Sequence, residues 1–447
     1  MALLEVDNLT VSFYTAEGVV TAVDDLSYTI DAGEKFGVVG ESGAGKSVTA
    51  LSLLRLIESP GEIEHGSIRF CEPETVEELE ESYPDNVVDI ERLRRESSFD
   101  DVVDRLEERG VSGADATGDP EHEGVDLHQL YANGDLGMRD VVDQGYATKL
   151  GLIDEEDFIV HDGDSRYAEL LRAPEGAIRR LRGNNISMIF QDAQTALNPV
   201  YTVGEQIAEA IRHHLDYDDA EAKERGIELL DTVGIPDAEN RYSDYPHEFS
   251  GGMQQRAVIA MALSCDPDVI IADEPTTALD VTTEAKILDL LEELTDEFDT
   301  AVQLITHDLG VVAELCDRVM VMYAGQPVEK SPVEELYYDP KHPYTVGLMS
   351  SIPRIGDDRD RLQTIPGTMP DLIETPSGCS FHPRCPYAER SCQRKEPRMV
   401  EFDDVDGKGR SAKCLEYTGD LEEGISYTVT VEDDHVPNER IPGERHE

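Results

Sequence analysis

Three short stretches carry residues whose types and spacing could handle a triphosphate. Gly40 to Ser47 reads GESGAGKS, an eight-position glycine-rich loop ending in Lys-Ser. Its glycines let successive backbone N–H groups turn inward around phosphates, and a helix starting there would present the positive end of its dipole. Gly40, Ser42, Gly43 and Gly45 would form the cradle, Lys46 would reach the terminal phosphates, Ser47 would offer its hydroxyl to Mg2+, and Val48 follows directly. Val269 to Pro275 reads VIIADEP, an apolar strand ending in two adjacent carboxylates. Such a pair is costly without a cation nearby. Asp273 is placed to hold Mg2+ through its water shell, and Glu274 to orient and deprotonate an attacking water. Phe249 to Arg256 reads FSGGMQQR. There Ser250, Gly251 and Gly252 open a helix, a second ready anion site, with Gln254 a further candidate for nucleotide contact. One nucleotide does not need two phosphate cradles so far apart in sequence.

The elements that must position these residues alternate between the two hydrophobic periods. LLEVDNLTVSFYT and VTAVDDLSYTI alternate apolar with polar residues as half-buried strands do. Lys35 to Val39 is a short apolar strand running into the glycine loop, and from Lys46 a helical period takes over, with Val48, Leu51, Leu54 and Ile57 on one face until Pro60 and Gly61. Further apolar strands at Ile186 to Phe190, Val269 to Ala272 and Val302 to Thr306 interleave with helical stretches at Gln254 to Leu263 and Glu284 to Leu294. That rhythm predicts an α/β domain with a largely parallel sheet. Residues 72 to about 172 break it. They are rich in Asp and Glu, punctuated by Pro and Gly, and read as an inserted surface excursion, although Ile90, Leu93, Val102, Val103 and Leu106 keep a rough helical spacing that predicts partial folding. After about Lys330 the alternation fades, so the expected division is an ATPase domain over 1–330 and a separate C-terminal region over 331–447.

The joint pattern resembles the ABC ATPase family, in which the signature helix of one cassette closes on ATP held by the phosphate loop of another. The resemblance implies a RecA-like core, an antiparallel β subdomain and a helical signature subdomain. It also assigns roles. Gln191 in MIFQD looks like the residue that senses magnesium and water, while its loop faces a membrane subunit. Ala278, Leu279 and Asp280 look like the segment crossing the dimer seam. His307 in LITHD looks like the switch histidine at the γ-phosphate. Phe13 is similar in position to the aromatic that stacks on adenine, with Tyr14 as its competitor. The resemblance covers residues 1–71 and about 175–447.

Within the family, QDAQTALNPVYTVGEQI resembles the dipeptide and oligopeptide permease branch, and HPYT at His342 to Thr345 resembles the naming motif of that branch's C-terminal extension. Cys379, Cys385, Cys392 and Cys414 fall in this extension. Four thiols suit zinc or an iron-sulfur cluster, and their spacings are not the close pairs of a zinc ribbon. The branch resemblance implies a [4Fe-4S] cluster, with zinc or free thiols as alternatives. Cys71, Cys265 and Cys316 are isolated and read as ordinary buried residues. The expected partners are a second, related ATPase subunit, two membrane-spanning permease subunits and, indirectly, an extracellular substrate-binding protein. Peptide cargo is the first expectation, with nickel or oligosaccharide as alternatives within the branch.

Bulk properties narrow the classes further. Lys plus Arg number 38 against 96 Asp plus Glu, a formal charge of −58 over 447 residues. Such a surface repels phosphate backbones, so nucleic acid is excluded as a partner, and acid spread along the whole chain resembles the proteins of salt-loving organisms, a haloarchaeon here. A soluble ABC protein acting on DNA or ribosomes would need basic surfaces, tandem cassettes or a long coiled coil, and a non-catalytic regulatory subunit would need a degenerate base or signature. Neither pattern is in the sequence. No basic-then-apolar leader opens the chain and no apolar run approaches the roughly 20 residues that cross a bilayer. The expected location is therefore the cytoplasmic face of the membrane, held there through partner subunits.

Overall fold

The computed structural model describes residues 2–119, 122–191, 193–277, 280–350, 365–373, 375–402, 409–421 and 425. The chain divides into two compact units, one of residues 1–12, 24–31 and 51–182, the other of residues 13–23, 32–50 and 183–447. The expected boundary near residue 330 does not coincide with this division. The extension after it adds strand Arg410–Lys413 beside Gln326–Pro332 and buries Tyr344 and Phe381 in the same core as the ATPase strands.

The second unit is built on an eight-stranded sheet. Its parallel part runs, in spatial order, Ile186–Ile189, Val269–Asp273, Ala301–Thr306, Lys35–Val39 and Arg318–Tyr323. Gln326–Pro332, Arg410–Lys413 and Met399–Phe402 continue it antiparallel. The central three strands are buried at every position. Burial on both faces is why they read as continuous apolar runs rather than as alternating ones. Register then decides where the loops emerge. Ile305 pairs with both Val38 and Asp273, and Thr306 pairs with Val39. The chain therefore leaves Ile189, Asp273, Thr306 and Val39 at one end of four neighbouring strands, the usual place for a ligand in an open parallel sheet.

Beside the sheet, helices Val203–His214, Asp219–Thr232 and Gly251–Ala262 pack through Ile207, Ile211, Leu229, Leu230 and Ile259. Tyr242 lies so close to Gly204 that a Cβ there would meet its ring at 2.2 Å.

A second sheet, whose strands lie mostly in the first unit, is six-stranded in the order Val19–Asp31, Ala2–Tyr14, Gly61–Phe70, Ser165–Glu169, Ile159–Asp162, Val87–Asp89. It is mixed rather than antiparallel throughout, because the acidic insertion contributes the parallel pair Val87–Asp89 and Ile159–Asp162. The insertion is a folded element and not a surface excursion. Short helices between Pro73 and Lys149 enclose a core that includes Val88, Leu93, Val102, Val103, Leu106, Leu130 and Val141. Several of its acids cap those helices: Asp89 accepts from Arg92 N–H, Asp126 from Gln129 N–H, and Ser112 and Asp115 form a capping box. Each cap is worth about 1 kcal/mol, which a composition count cannot register. Arg69 ties the unit together, reaching Glu5 at 2.9 Å, Asp7 at 2.6 Å and Asp143 at 3.2 Å beneath the Tyr167 ring. Among the described residues no helix is long and apolar enough to cross a membrane.

Candidate nucleotide site

The phosphate loop joins the end of strand Lys35–Val39 to helix Lys46–Leu53. Two of its glycines are required by space. A Cβ on Gly40 would lie 2.4 Å from the Met322 carbonyl oxygen, and one on Gly45, which also has φ +100°, would lie 2.2 Å from that of Ala22. Ser42, Gly43 and Ser47 are exposed at the loop's outer face, with Val48 half-buried behind them. Lys46 is buried and folds back over the loop, its Nζ donating to the carbonyl oxygens of Gly40 at 2.8 Å and Glu41 at 3.2 Å. Burial lowers its pKa, opposed by the nearby carboxylates of Glu274 and Asp273. An incoming polyphosphate would replace those two carbonyls as its partner.

The loop and the acidic strand end meet. Ser47 Oγ donates to Asp273 Oδ1 at 3.2 Å, joining residues 226 positions apart in sequence. Burial raises the Asp273 pKa, and the Ser47 bond offsets part of that rise. A hydroxyl and a carboxylate held together at the mouth of a helix N-terminus are the donor set of a hard divalent cation.

Glu274 lies just past the strand with φ +46°, a left-handed conformation that costs a non-glycine residue on the order of 1–3 kcal/mol. Its backbone N–H donates to Ile305 O at 2.8 Å, which locks the turn. Three side chains surround the carboxylate. Gln191 Nε2 and Thr277 Oγ1 each donate to Oε2 at 2.9 Å, and His307 Nδ1 lies 3.4 Å from Oε1. Gln191, Glu274 and His307 thus converge from three adjacent strand ends. Thr277 was not foreseen; its only signal was its place three residues after the glutamate.

Ser250 caps helix Gly251–Ala262, its hydroxyl accepting from Met253 N–H at 3.4 Å. Ser250 and Gly251 are exposed at that N-terminus. Gly252 packs toward Thr283, which is bonded through both its N–H and its hydroxyl to Asp280. Those bonds hold the Asp280 carboxyl below its ordinary range. Ala278 and Leu279 lie outside the described residues. Gln254 Nε2 donates to Pro246 O at 2.7 Å, which leaves its Oε1 buried without a hydrogen-bond partner in this chain. Phe13 and Tyr14 close strand Ala2–Tyr14 and point to opposite faces, the first half-buried and the second exposed.

In the extension, Cys379, Cys385, Cys392 and Cys414 line one small pocket together with His342 and Phe381. Among the described residues no three metal-ligating side chains are drawn in to ligand spacing. Burial pushes the Cys385 and Cys414 thiols up to about 12 and raises Cys379, and in all three neighbouring cysteines add to the effect. Those three thiols, with Cys392 lining the same pocket, are a set whose ionisation a bound cation would favour. Cys71 is half-buried, and Cys265 and Cys316 are buried, apart from this group.

A family model described as "ABC transporter" matches residues 23–134 and 153–277, and one described as "Oligopeptide/dipeptide transporter, C-terminal region" matches residues 328–392. The oligopeptide transport ATP-binding protein OppD of Haemophilus influenzae is 39% identical over 400 residues, covering 90% of this chain and 94% of that protein. A putative peptide import ATP-binding protein of Brucella abortus is 40% identical over 412 residues, covering 92% and 94%.

Proposed function

The chain belongs to the ABC transporter family, among its oligopeptide and dipeptide transport ATP-binding subunits, and on that premise we propose how it hydrolyses ATP to energise an importer of peptides. The observation that carries the reading is the convergence of Gly40 to Ser47, Asp273, Glu274, Gln191 and His307 at one end of four adjacent strands.

The backbone N–H groups of the loop and Lys46 bind the phosphates. Ser47, Asp273 and Gln191 would hold Mg2+, which when bound neutralises charge on the terminal phosphates. Glu274, kept in place by Gln191 and Thr277, takes the proton of the attacking water. His307 contacts the γ-phosphate and reports its presence. Phe13, with Tyr14 the alternative, stacks on the adenine. Ser250, Gly251 and Gly252, helped by Gln254 and Asp280, close on the nucleotide of an opposing cassette, so that two ATPase subunits face each other head to tail. The second subunit is a related chain or a second copy of this one. Closure and opening are passed through the Gln191 loop to two permease subunits at the cytoplasmic face of the membrane, and an extracellular binding protein selects the cargo. A nickel or oligosaccharide cargo is the second reading.

Cys379, Cys385, Cys392 and Cys414 hold a [4Fe-4S] cluster in this proposal, with zinc as the alternative. Thiolate suits both, and the shared pocket supports a common ligand. Iron analysis and visible absorbance on anaerobically purified protein decide between them; stoichiometric zinc without iron removes the cluster. The charge of −58 supports a halophilic source.

The transport reading is tested in vesicles holding this chain with its permease pair, partner ATPase and binding protein. Labelled peptide should accumulate only with ATP, and not when Lys46→Ala replaces the native chain. Hydrolysis with no uptake of any peptide, and uptake of nickel or a sugar instead, would move the cargo assignment.

A further inference from the structure

The second residue of the phosphate loop is held from outside by the C-terminal extension. Glu41 is grasped twice, by partners 303 and 343 positions away. Its backbone N–H donates to Tyr344 Oη at 2.9 Å. Its carboxylate accepts both arms of one guanidinium, from Arg384 Nη1 at 3.1 Å and Nη2 at 3.0 Å.

The two clamping side chains are themselves fixed. The Arg384 side chain is only 6% exposed, its Nε donates to Pro366 O at 2.9 Å, and its guanidinium lies 5.7 Å over the Tyr323 ring. Tyr344 is fully buried and meets Tyr323 edge-on at 4.7 Å and Phe381 at 5.4 Å. A bidentate Arg–carboxylate pair supported in this way specifies orientation as well as charge.

We propose that Arg384 and Tyr344 are positioning residues for ATP binding: they pin Glu41 from the extension, set the shape of the phosphate loop, and withdraw its one acidic side chain from the triphosphate. Two consequences of the geometry support this. The Glu41 carbonyl is one of the two oxygens that receive Lys46 Nζ, so displacement of Glu41 displaces the lysine's partner. And Glu41 released from Arg384 would put an unpaired carboxylate in a loop that must accept several negative charges, which repel it strongly in a partly desolvated site. The HPYT and CSFHPRC segments thereby gain a function within this chain, apart from any group the cysteines hold.

The inference rests on the reading that Gly40 to Ser47 cradles ATP. The test uses the purified full chain and titrates a fluorescent ATP analogue with Mg2+, alongside kcat, KM and the melting temperature without nucleotide. Losing the charge-assisted pair in Arg384→Gln is expected to weaken nucleotide binding about tenfold and to raise KM, with a much smaller change in kcat. Tyr344→Phe and Glu41→Gln are each expected to cost a few-fold. The Arg384→Gln, Glu41→Gln double variant should bind better than Arg384→Gln alone, because no unpaired acid remains. Arg384→Lys, which keeps the charge and loses the fork, should fall between. Unchanged affinity in Arg384→Gln, a fall in melting temperature alone, or losses that simply add in the double variant would overturn the proposal. If Arg384→Gln does not fold, unchanged affinity in both Glu41→Gln and Tyr344→Phe does the same. Lys46→Ala separates the two levels: nucleotide binding untouched by that change defeats the cradle reading itself, whereas its loss beside an unaffected Arg384→Gln defeats only the positioning role.

Discussion

Replacing Glu274 by Gln isolates one atom's chemistry, because the amide keeps the side chain's volume and one acceptor oxygen for Gln191 and Thr277. In the native site both of those donors bond one carboxylate oxygen at 2.9 Å, leaving the other toward His307 at 3.4 Å. Loss of a positioned general base costs about 10²–10⁴ in rate. At 1.36 kcal/mol for each tenfold, that is about 3–5 kcal/mol on the barrier. Binding responds differently. The Glu274 carboxylate attracts Lys46, and an incoming triphosphate competes for the same ammonium. Removing the carboxylate is therefore expected to leave ATP affinity unchanged or tighter. Phosphate release at saturating Mg-ATP should fall at least a hundredfold, the titration should show undiminished binding, and sizing with ATP should show closed dimers that the native chain does not retain. Hydrolysis within tenfold of the native rate would refute the assignment and shift the proton-accepting role to His307 or to the phosphate itself.

Other outcomes follow from the rest of the chain. Arg69→Ala removes the buried cation shared by Asp7 and Asp143 and leaves Asp143 only the more exposed cation of Arg139 at 3.3 Å, a change worth about 3–5 kcal/mol. The first unit should then melt roughly 6–20 °C lower and be cut by protease within residues 73–170, while ATP binding persists; an unchanged melt would show that the network is incidental. Burial raises the Glu329 carboxyl from 4.5 to about 7, so the folded chain keeps a proton that the unfolded chain releases earlier. That contribution to stability is complete below about pH 4.5 and is lost as the pH rises through 7, so Glu329→Gln should gain on the native protein in melting temperature between pH 5 and pH 8. Parallel pH profiles would contradict it. A charge of −58 predicts a melting temperature that climbs with KCl into the molar range, and a flat response would remove the halophilic reading.

Much of the second unit was legible because its signals are local. Strands Lys35–Val39 and Ala301–Thr306 are buried at every position and read as apolar runs bounded by turn residues. The stretches proposed to bind and hydrolyse the nucleotide are visible in the sequence since each holds its candidate residues within eight positions. Helix Lys46–Leu53 begins where the sequence predicts, but of the expected face Val48, Leu51, Leu54 and Ile57 only Leu54 is buried, the other three being half-exposed, and Thr49, Ala50, Ser52 and Leu53 face inward. Packing beneath a phosphate loop favours small side chains, and Thr49 Oγ1 donates to the Gly45 carbonyl. The clamp on Glu41 had no sequence signal, since neither Arg384 nor Tyr344 sits in a spacing that points 300 residues back.

The insertion was misread for a related reason. Composition treats every Asp as solvated charge, yet Asp89 and Asp126 cap helices, the Asp115 carboxylate accepts from the Ser112 N–H in a capping box, and Asp143 is a buried partner of Arg69. A segment can be strongly acidic and still fold if its acids are spent on N–H groups and guanidinium, leaving apolar residues such as Val103, Leu106 and Val142 free to meet. The test of order in an acidic segment is thus positional. Where Asp or Ser falls just before a run of helical period, and apolar residues recur behind it, the charge supports structure. Where neither holds, it supports solvation alone.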